Sequence, residues 1–148
     1  MTGEKWIIYW NEYASNTYLY GSKVEFRGKR TVFFENRLMP PGTVIKTWYS
    51  KTNYQMQRIE PSLPMIDGET EYRISVDMEY PEGGSCVVRL VFLDKFEEEA
   101  GFLIVNGESM CFRCPLKTYS YRMELMNAGA TAFCFHHVTI EEVERENG

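Results

Sequence analysis

From Tyr72 to Tyr80 the chain alternates without a break. Tyr72, Ile74, Val76, Met78 and Tyr80 are apolar; Arg73, Ser75, Asp77 and Glu79 between them are polar. Only extended backbone has a side-chain period of two, so this run predicts a strand with one dry and one wet face. Nowhere do apolar residues recur at helical spacing for a dozen residues. The same alternation returns at Tyr119, Tyr121, Met123 and Leu125, against Ser120, Arg122 and Glu124. Cys86 to Leu93 is apolar on both faces except at Arg89, which predicts a central strand covered on both sides.

Shorter extended runs are expected at Lys5–Trp10, Thr17–Tyr20, Val24–Phe26, Thr31–Phe34, Thr43–Tyr49 and Tyr54–Ile59. Later ones fall at Phe102–Val105, Met110–Cys114 and Ala132–Ile140. Breakers separate them. Arg27-Gly28-Lys29-Arg30 reads as a hairpin turn, and Met39-Pro40-Pro41-Gly42 stops a strand because each proline fixes φ and lacks a donor. Pro81–Ser85, the acidic stretch Asp94–Ala100, Asn106-Gly107 and Asn127-Ala128-Gly129 are the remaining turns. About ten short strands at this spacing indicate an all-β, two-sheet β-sandwich of jelly-roll type. The 148 residues form one domain (1–148), with 141–148 expected to fray as a charged tail.

Charge and cysteine usage narrow the function. The formal net charge is −5, with the acidic excess in the second half. Without a basic cluster, nucleic acid is not an expected partner. No apolar run approaches the ~20 residues of a membrane span, and MTGEKWIIYW lacks the marks of a signal peptide, so a cytosolic protein is expected. Cys86, Cys111, Cys114 and Cys134 then read as reduced, mostly buried thiols. Cys111 and Cys114 match C-x-x-C, but a strand points positions three apart to opposite faces. Cys134 and His136 have no second closely spaced ligand pair, so no metal and no cofactor are expected.

No catalytic constellation is legible either. His136 and His137 are adjacent in an expected strand and should face opposite ways, one of them a core histidine. Glu35, Asp77, Glu79 and Glu124 lie on or beside strands, yet nothing singles out a carboxylate pair. The expectation is a binding module, not an enzyme.

The stretch Asn36–Pro64 offers the chemistry for binding. It sets the rings of Trp48, Tyr49 and Tyr54 beside Asn53, Gln55, Gln57 and Arg58. Flat rings with neutral hydrogen-bonding groups and a guanidinium suit a sugar, whose C–H face stacks while its hydroxyls pair. They equally suit a protein interface. On the plainer reading Trp48 and Tyr54 anchor the core, since large aromatics are mostly structural. The polar strand faces 73/75/77/79 and 120/122/124 add donors and acceptors to either surface.

Thr17-Tyr18-Leu19-Tyr20-Gly21-Ser22, Phe34-Glu35-Asn36, Leu38-Met39-Pro40-Pro41-Gly42, Thr52-Asn53-Tyr54-Gln55 and Pro61-Ser62-Leu63-Pro64 follow one another in an order and spacing with a family likeness. Together they resemble the third accessory secretory protein of the accessory Sec system of Gram-positive bacteria. The resemblance implies a non-catalytic subunit helping to export a glycosylated serine-rich adhesin. Implied partners are two other accessory secretory proteins, one glycosyltransferase-like and one acetyltransferase-like, the accessory Sec motor ATPase, and the adhesin. It also implies a carbohydrate-binding-module-like fold, affinity for N-acetylglucosamine-type sugars, and only peripheral membrane association, through the complex at its cytoplasmic face. A stand-alone carbohydrate-binding module, unconnected to secretion, is the alternative. The resemblance transfers no sugar-contact residues; Trp48, Tyr49, Asn53, Tyr54, Gln55 and Arg58 stand on their own chemistry.

Overall fold

The computed structural model describes residues 5–10, 21–27, 31–50, 63–64, 66–105 and 108–143. The expected strands at Thr17–Tyr20 and Tyr54–Ile59 lie outside the described residues, as do the turns at 28–30 and 106–107 and the tail from 144. Among the described residues there are ten strands. They are β1 (Lys5–Ile8), β2 (Lys23–Arg27), β3 (Thr31–Glu35), β4 (Val44–Tyr49), β5 (Tyr72–Glu79), β6 (Cys86–Leu93), β7 (Glu99–Val105), β8 (Ser109–Phe112), β9 (Ser120–Asn127) and β10 (Ala132–Glu142).

They form two antiparallel sheets, as the alternation requires. Sheet A runs β2-β3-β10-β5-β8, with β1 also paired to β10; sheet B runs β4-β9-β6-β7. The alternating side chains of β5 split as expected. Tyr72 and Ile74 are buried, and Val76 and Met78 pack against the same core. From sheet B, Leu90, Phe92, Met123 and Leu125 meet Phe34, Phe133 and Phe135 of sheet A in one dry layer. The fold is the expected all-β sandwich.

Several local expectations change. β7 begins at Glu99, inside the stretch read as an acidic loop, and β10 runs through Glu142, two residues into the tail expected to fray. There Glu141 pairs with Lys5 and Arg73, and a backbone bond from Val143 N to Glu71 O closes the end. The strands flanking Asn106-Gly107 join different sheets, β7 pairing with β6 and β8 with β5. Central β6 is covered on its outer face at Val91, whereas Val87 and Leu93 stay half-buried. Tyr119 lies just before β9 and is exposed, so it falls off the dry face that Tyr121 begins.

The histidines correct a more basic assumption. A register shift between Phe135 and His137 breaks the alternation of β10 where the two rings sit. Both are half-buried and both meet acids on the outer face of β5: His136 Nε2 lies 3.2 Å from Glu79 Oε2, and His137 Nε2 lies 3.8 Å from Asp77 Oδ2. Neither is a core histidine. With Thr31 Oγ1 3.1 Å from His136 Nδ1, the ring pins β3, β10 and β5 together.

All four thiols are free, but only Cys114 is buried; Cys86 and Cys134 are intermediate and Cys111 is exposed. The C-x-x-C pair is therefore split between surface and core. Burial pushes the Cys86 thiol up to about 12, which makes it inert as a nucleophile.

Candidate recognition face on sheet B

The aromatic stretch divides at its first two rings. Trp48 and Tyr49 are neighbours on β4, so the pleat sends them to opposite sides of sheet B. Trp48 is 3% exposed. Its ring stacks on Phe135 at 5.4 Å between centroids and meets Trp10 edge-on at 6.2 Å. The indole N–H donates to Tyr9 O at 3.1 Å. Trp48 is a core anchor, and the expectation that its ring is exposed for binding is corrected.

Tyr49 is the opposite case, 42% exposed on the outer face. Antiparallel pairing sets a row across the whole sheet: Tyr49 opposes Arg122, Arg122 opposes Val91, and Val91 opposes Phe102. The next row is Thr47, Glu124, Arg89 and Ile104. Aromatic or branched apolar side chains thus flank a charged centre, with Phe102 60% and Ile104 46% exposed.

Glu124 organises that centre. Its carboxylate is buried, and it accepts from Arg89 Nε at 2.6 Å on one oxygen and from Arg122 Nε at 3.1 Å on the other. A carboxylate held by two guanidiniums fixes their planes. Among the described residues, Glu124 is the acceptor that both guanidiniums meet. The arrangement can therefore present a ring face beside oriented N–H donors. No group of three metal-ligating side chains occurs among the described residues.

Asn53, Tyr54, Gln55, Gln57 and Arg58 lie outside the described residues. The two ends of their segment are nonetheless placed. Ser50 N donates to Tyr121 O at 3.1 Å, Ser50 Oγ accepts from Tyr121 N at 2.9 Å, and Leu63 N donates to Tyr49 O at 3.2 Å. Tyr121 Oη also donates to Pro64 O at 2.5 Å. The segment leaves and returns beside Tyr49. Of the sequence-derived candidates, then, Tyr49 joins the face and Trp48 lies beneath it. Arg89 and Phe102 were not among those candidates, and cross-strand register alone brings them in.

Comparison with known proteins places the chain. Residues 17–142 match the family model for the third accessory secretory protein of the accessory Sec secretory system. The chain is 36% identical over 151 residues to that protein of Streptococcus gordonii, covering 95% of each. It is 30% identical over 139 residues to the Staphylococcus aureus protein, covering 94% of this chain and 43% of that longer one. Among solved structures, one chain of the Glycosylation Associate Protein (Gap123) complex from Streptococcus agalactiae superposes with TM-score 0.85 and 38% identity, over 98% of this chain and 48% of that one. The crystal structure of accessory secretory proteins 1, 2 and 3 in Streptococcus pneumoniae gives TM-score 0.86 and 29% identity, over 93% and 95%. A Clostridium thermocellum xylanase structure with CBM22-1 and GH10 modules, at TM-score 0.50 and 18% identity, shares the sandwich fold, over 98% of this chain and 26% of that one. The alternating strands and proline-punctuated motifs are those of a chain that belongs to the family of the third accessory secretory protein of the accessory Sec system.

Proposed function

We propose that this chain is a non-catalytic subunit of an accessory secretory complex, held with the first and second accessory secretory proteins. On this reading it helps export a serine-rich adhesin and recognises that adhesin's N-acetylglucosamine-type sugars on the outer face of sheet B. One observation carries the subunit reading: near-complete overlap with a chain solved in a structure of accessory secretory proteins 1, 2 and 3. The Gap123 match supports the same grouping. The reading extends to glycosyltransferase-like and acetyltransferase-like partners, the motor ATPase and a cytoplasmic setting at the membrane, as the sequence resemblance implies. No helix among the described residues is long and apolar enough to cross a membrane; attachment runs through the complex.

The sugar reading rests on Tyr49 and the Arg89–Glu124–Arg122 centre. The tyrosine ring offers a stacking face, and the guanidiniums offer donors to hydroxyl and acetamide oxygens. Because Glu124 holds both guanidiniums, less ordering remains to be done on binding. Asn53, Tyr54, Gln55 and Arg58 stay candidate ligand contacts on their side-chain chemistry alone.

The test has two arms. A pulldown from an extract of the source cells, read by mass spectrometry, should recover the two partner proteins. Calorimetric titration with a serine glycopeptide bearing N-acetylglucosamine should show binding that Tyr49→Ala and Arg122→Ala each weaken by about tenfold, or ~1.4 kcal/mol. Equal affinity for parent and variants removes the sheet B face from sugar recognition. Glycopeptide binding without recovered partners favours the stand-alone module.

A further inference from the structure

We propose that Arg122 is a subsite for a carboxylate, so that the ligand of the sheet B face carries an acidic group beside its sugar. This rests on the sugar reading of that face and narrows it from a neutral glycan to a carboxylate-bearing one.

The two guanidiniums do not share Glu124 equally. Arg89 brings Nε to 2.6 Å and an Nη to 2.5 Å of the same oxygen, Oε1. Arg122 reaches the other oxygen, Oε2, through Nε at 3.1 Å. One carboxylate balances the charge of one guanidinium, and Arg89, closer and doubly bonded, is the one it balances. Arg122 is the surplus cation of the pair. Its bond to Glu124, a side chain only 9% exposed, orients it without neutralising it.

Little else on the sheet offsets that charge. The four strands of sheet B carry two acids, Glu124 and Glu99. Glu99 pairs with Leu93, two residue pairs beyond the Val91–Phe102 pair and two strands from Arg122. Strand spacings put it roughly 12 Å away, beyond the ~8 Å over which exposed charges act at physiological salt. The third cation of these strands, Lys46, belongs to the opposite side, with Nζ 5.9 Å from the ring centroids of Trp10 and Trp48. On β9 the residues two positions either side of Arg122 and Glu124 are Ser120 and Met126, both uncharged.

The surroundings favour an ion over a hydroxyl. Arg122 stands between Tyr49 and the buried Val91, with its own side chain 31% exposed. A half-dry cation gains more from an ionised acceptor than from a neutral one, and a planar guanidinium matches a planar carboxylate. Reach limits where the acid sits. Arg122 and Tyr49 are direct cross-strand partners, with Cβ atoms about 5 Å apart. The carboxylate therefore lies within one monosaccharide or one amino acid of the ring that stacks on Tyr49.

Calorimetric titration of the full chain tests this with two pairs of serine glycopeptides. The first pair bears N-acetylglucosamine and differs only beside the glycosylated serine, with Glu in one member and Gln in the other. The second keeps Gln there and carries glucuronic acid or glucose as its sugar. In at least one pair the acidic member should bind about tenfold more tightly, the difference between ionised and neutral acceptors. Preference in the first pair places the acid on the peptide; preference in the second places it on the sugar. Added salt should shrink the preference in the parent protein. Arg122→Gln should bring it near one, and Arg122→Lys should keep part of it. Each readout is a ratio within one protein, so a general loss of affinity does not imitate it. Neutral glycopeptides that bind while neither pair shows a preference overturn the proposal and leave the sugar reading standing. A preference that ignores salt, or survives Arg122→Gln, overturns it as well. If none of the four binds, the sugar reading fails and the carboxylate subsite with it.

Discussion

Replacing Trp48 separates core anchor from binding platform, because its neighbour Tyr49 supplies the control. Trp48→Ala removes a fully buried indole from between Phe135 and Trp10. Truncating a buried Trp costs about 3–5 kcal/mol in transfer and cavity terms together. The lost hydrogen bond to Tyr9 O adds less, under about 1 kcal/mol, because Tyr9 is only half-buried and water can replace the donor. At about 2–4 °C per kcal/mol for a chain of this size, the melting temperature should fall by about 6–20 °C. With a urea m-value of about 2 kcal/mol/M, the midpoint should fall by about 2 M. Trp48→Phe keeps a ring on Phe135 and should cost only about 1–2 kcal/mol. Tyr49→Ala, on the wet face, should stay within about 0.5 kcal/mol of the parent. Far-ultraviolet circular dichroism is the readout, since tryptophan fluorescence would change with the substitution itself. A Trp48→Ala protein as stable as the parent but defective in ligand binding would refute the core assignment.

Other consequences follow from single sites. Burial lowers Lys46 from 10.5 to about 8. Between those values the unfolded chain holds the proton that the folded one has released, so this group's contribution to stability rises with pH from about 8 to 10.5. Cys86, raised to about 12, acts in the opposite direction above its ordinary range; the difference between parent and Lys46→Met, followed by urea titration, isolates the lysine. Glu124→Gln leaves two guanidiniums without their anion and should cost about 1–3 kcal/mol. A cycle with Arg89→Met should show clear non-additivity in denaturation midpoints. Gly84 has φ +77° and a Cβ there would lie 2.5 Å from Gly129 O, whereas Gly83 at φ +80° has open space. Gly84→Ala should therefore melt well below Gly83→Ala, whose loss is limited to about 1–2 kcal/mol of left-handed strain.

The architecture was legible wherever alternation was clean, because a half-buried strand leaves its period in the sequence whatever it pairs with. β5 and β9 are such strands. Alternation failed where the backbone itself departed from the pleat. The bulge after Phe135 turned both histidines to the outer acids, and the shift between Val44 and Lys46 on β4 buried two successive residues, Ile45 and Lys46. A bulge adds one residue without changing composition, so a one-dimensional pattern has no signal for it.

The candidate face was legible only in pieces, for a related reason. Tyr49 was a candidate by its chemistry, whereas Arg122 and Glu124 were only members of a polar strand face. That Tyr49, Arg122, Val91 and Phe102 form one row depends on three strand registers joining segments far apart in the chain. A slip of one residue in any of them would turn that strand's contribution inward. The dry face enforces those registers: Trp48 opposite Met123, Met123 opposite Leu90, and Leu90 opposite Leu103. Burial of the inner row thus sets the outer row. Core substitutions that let β4 slip would disperse the Tyr49–Arg122 pair without altering either residue. Trp48 therefore shapes the proposed recognition face from beneath, by holding the register that keeps Tyr49 beside the arginines.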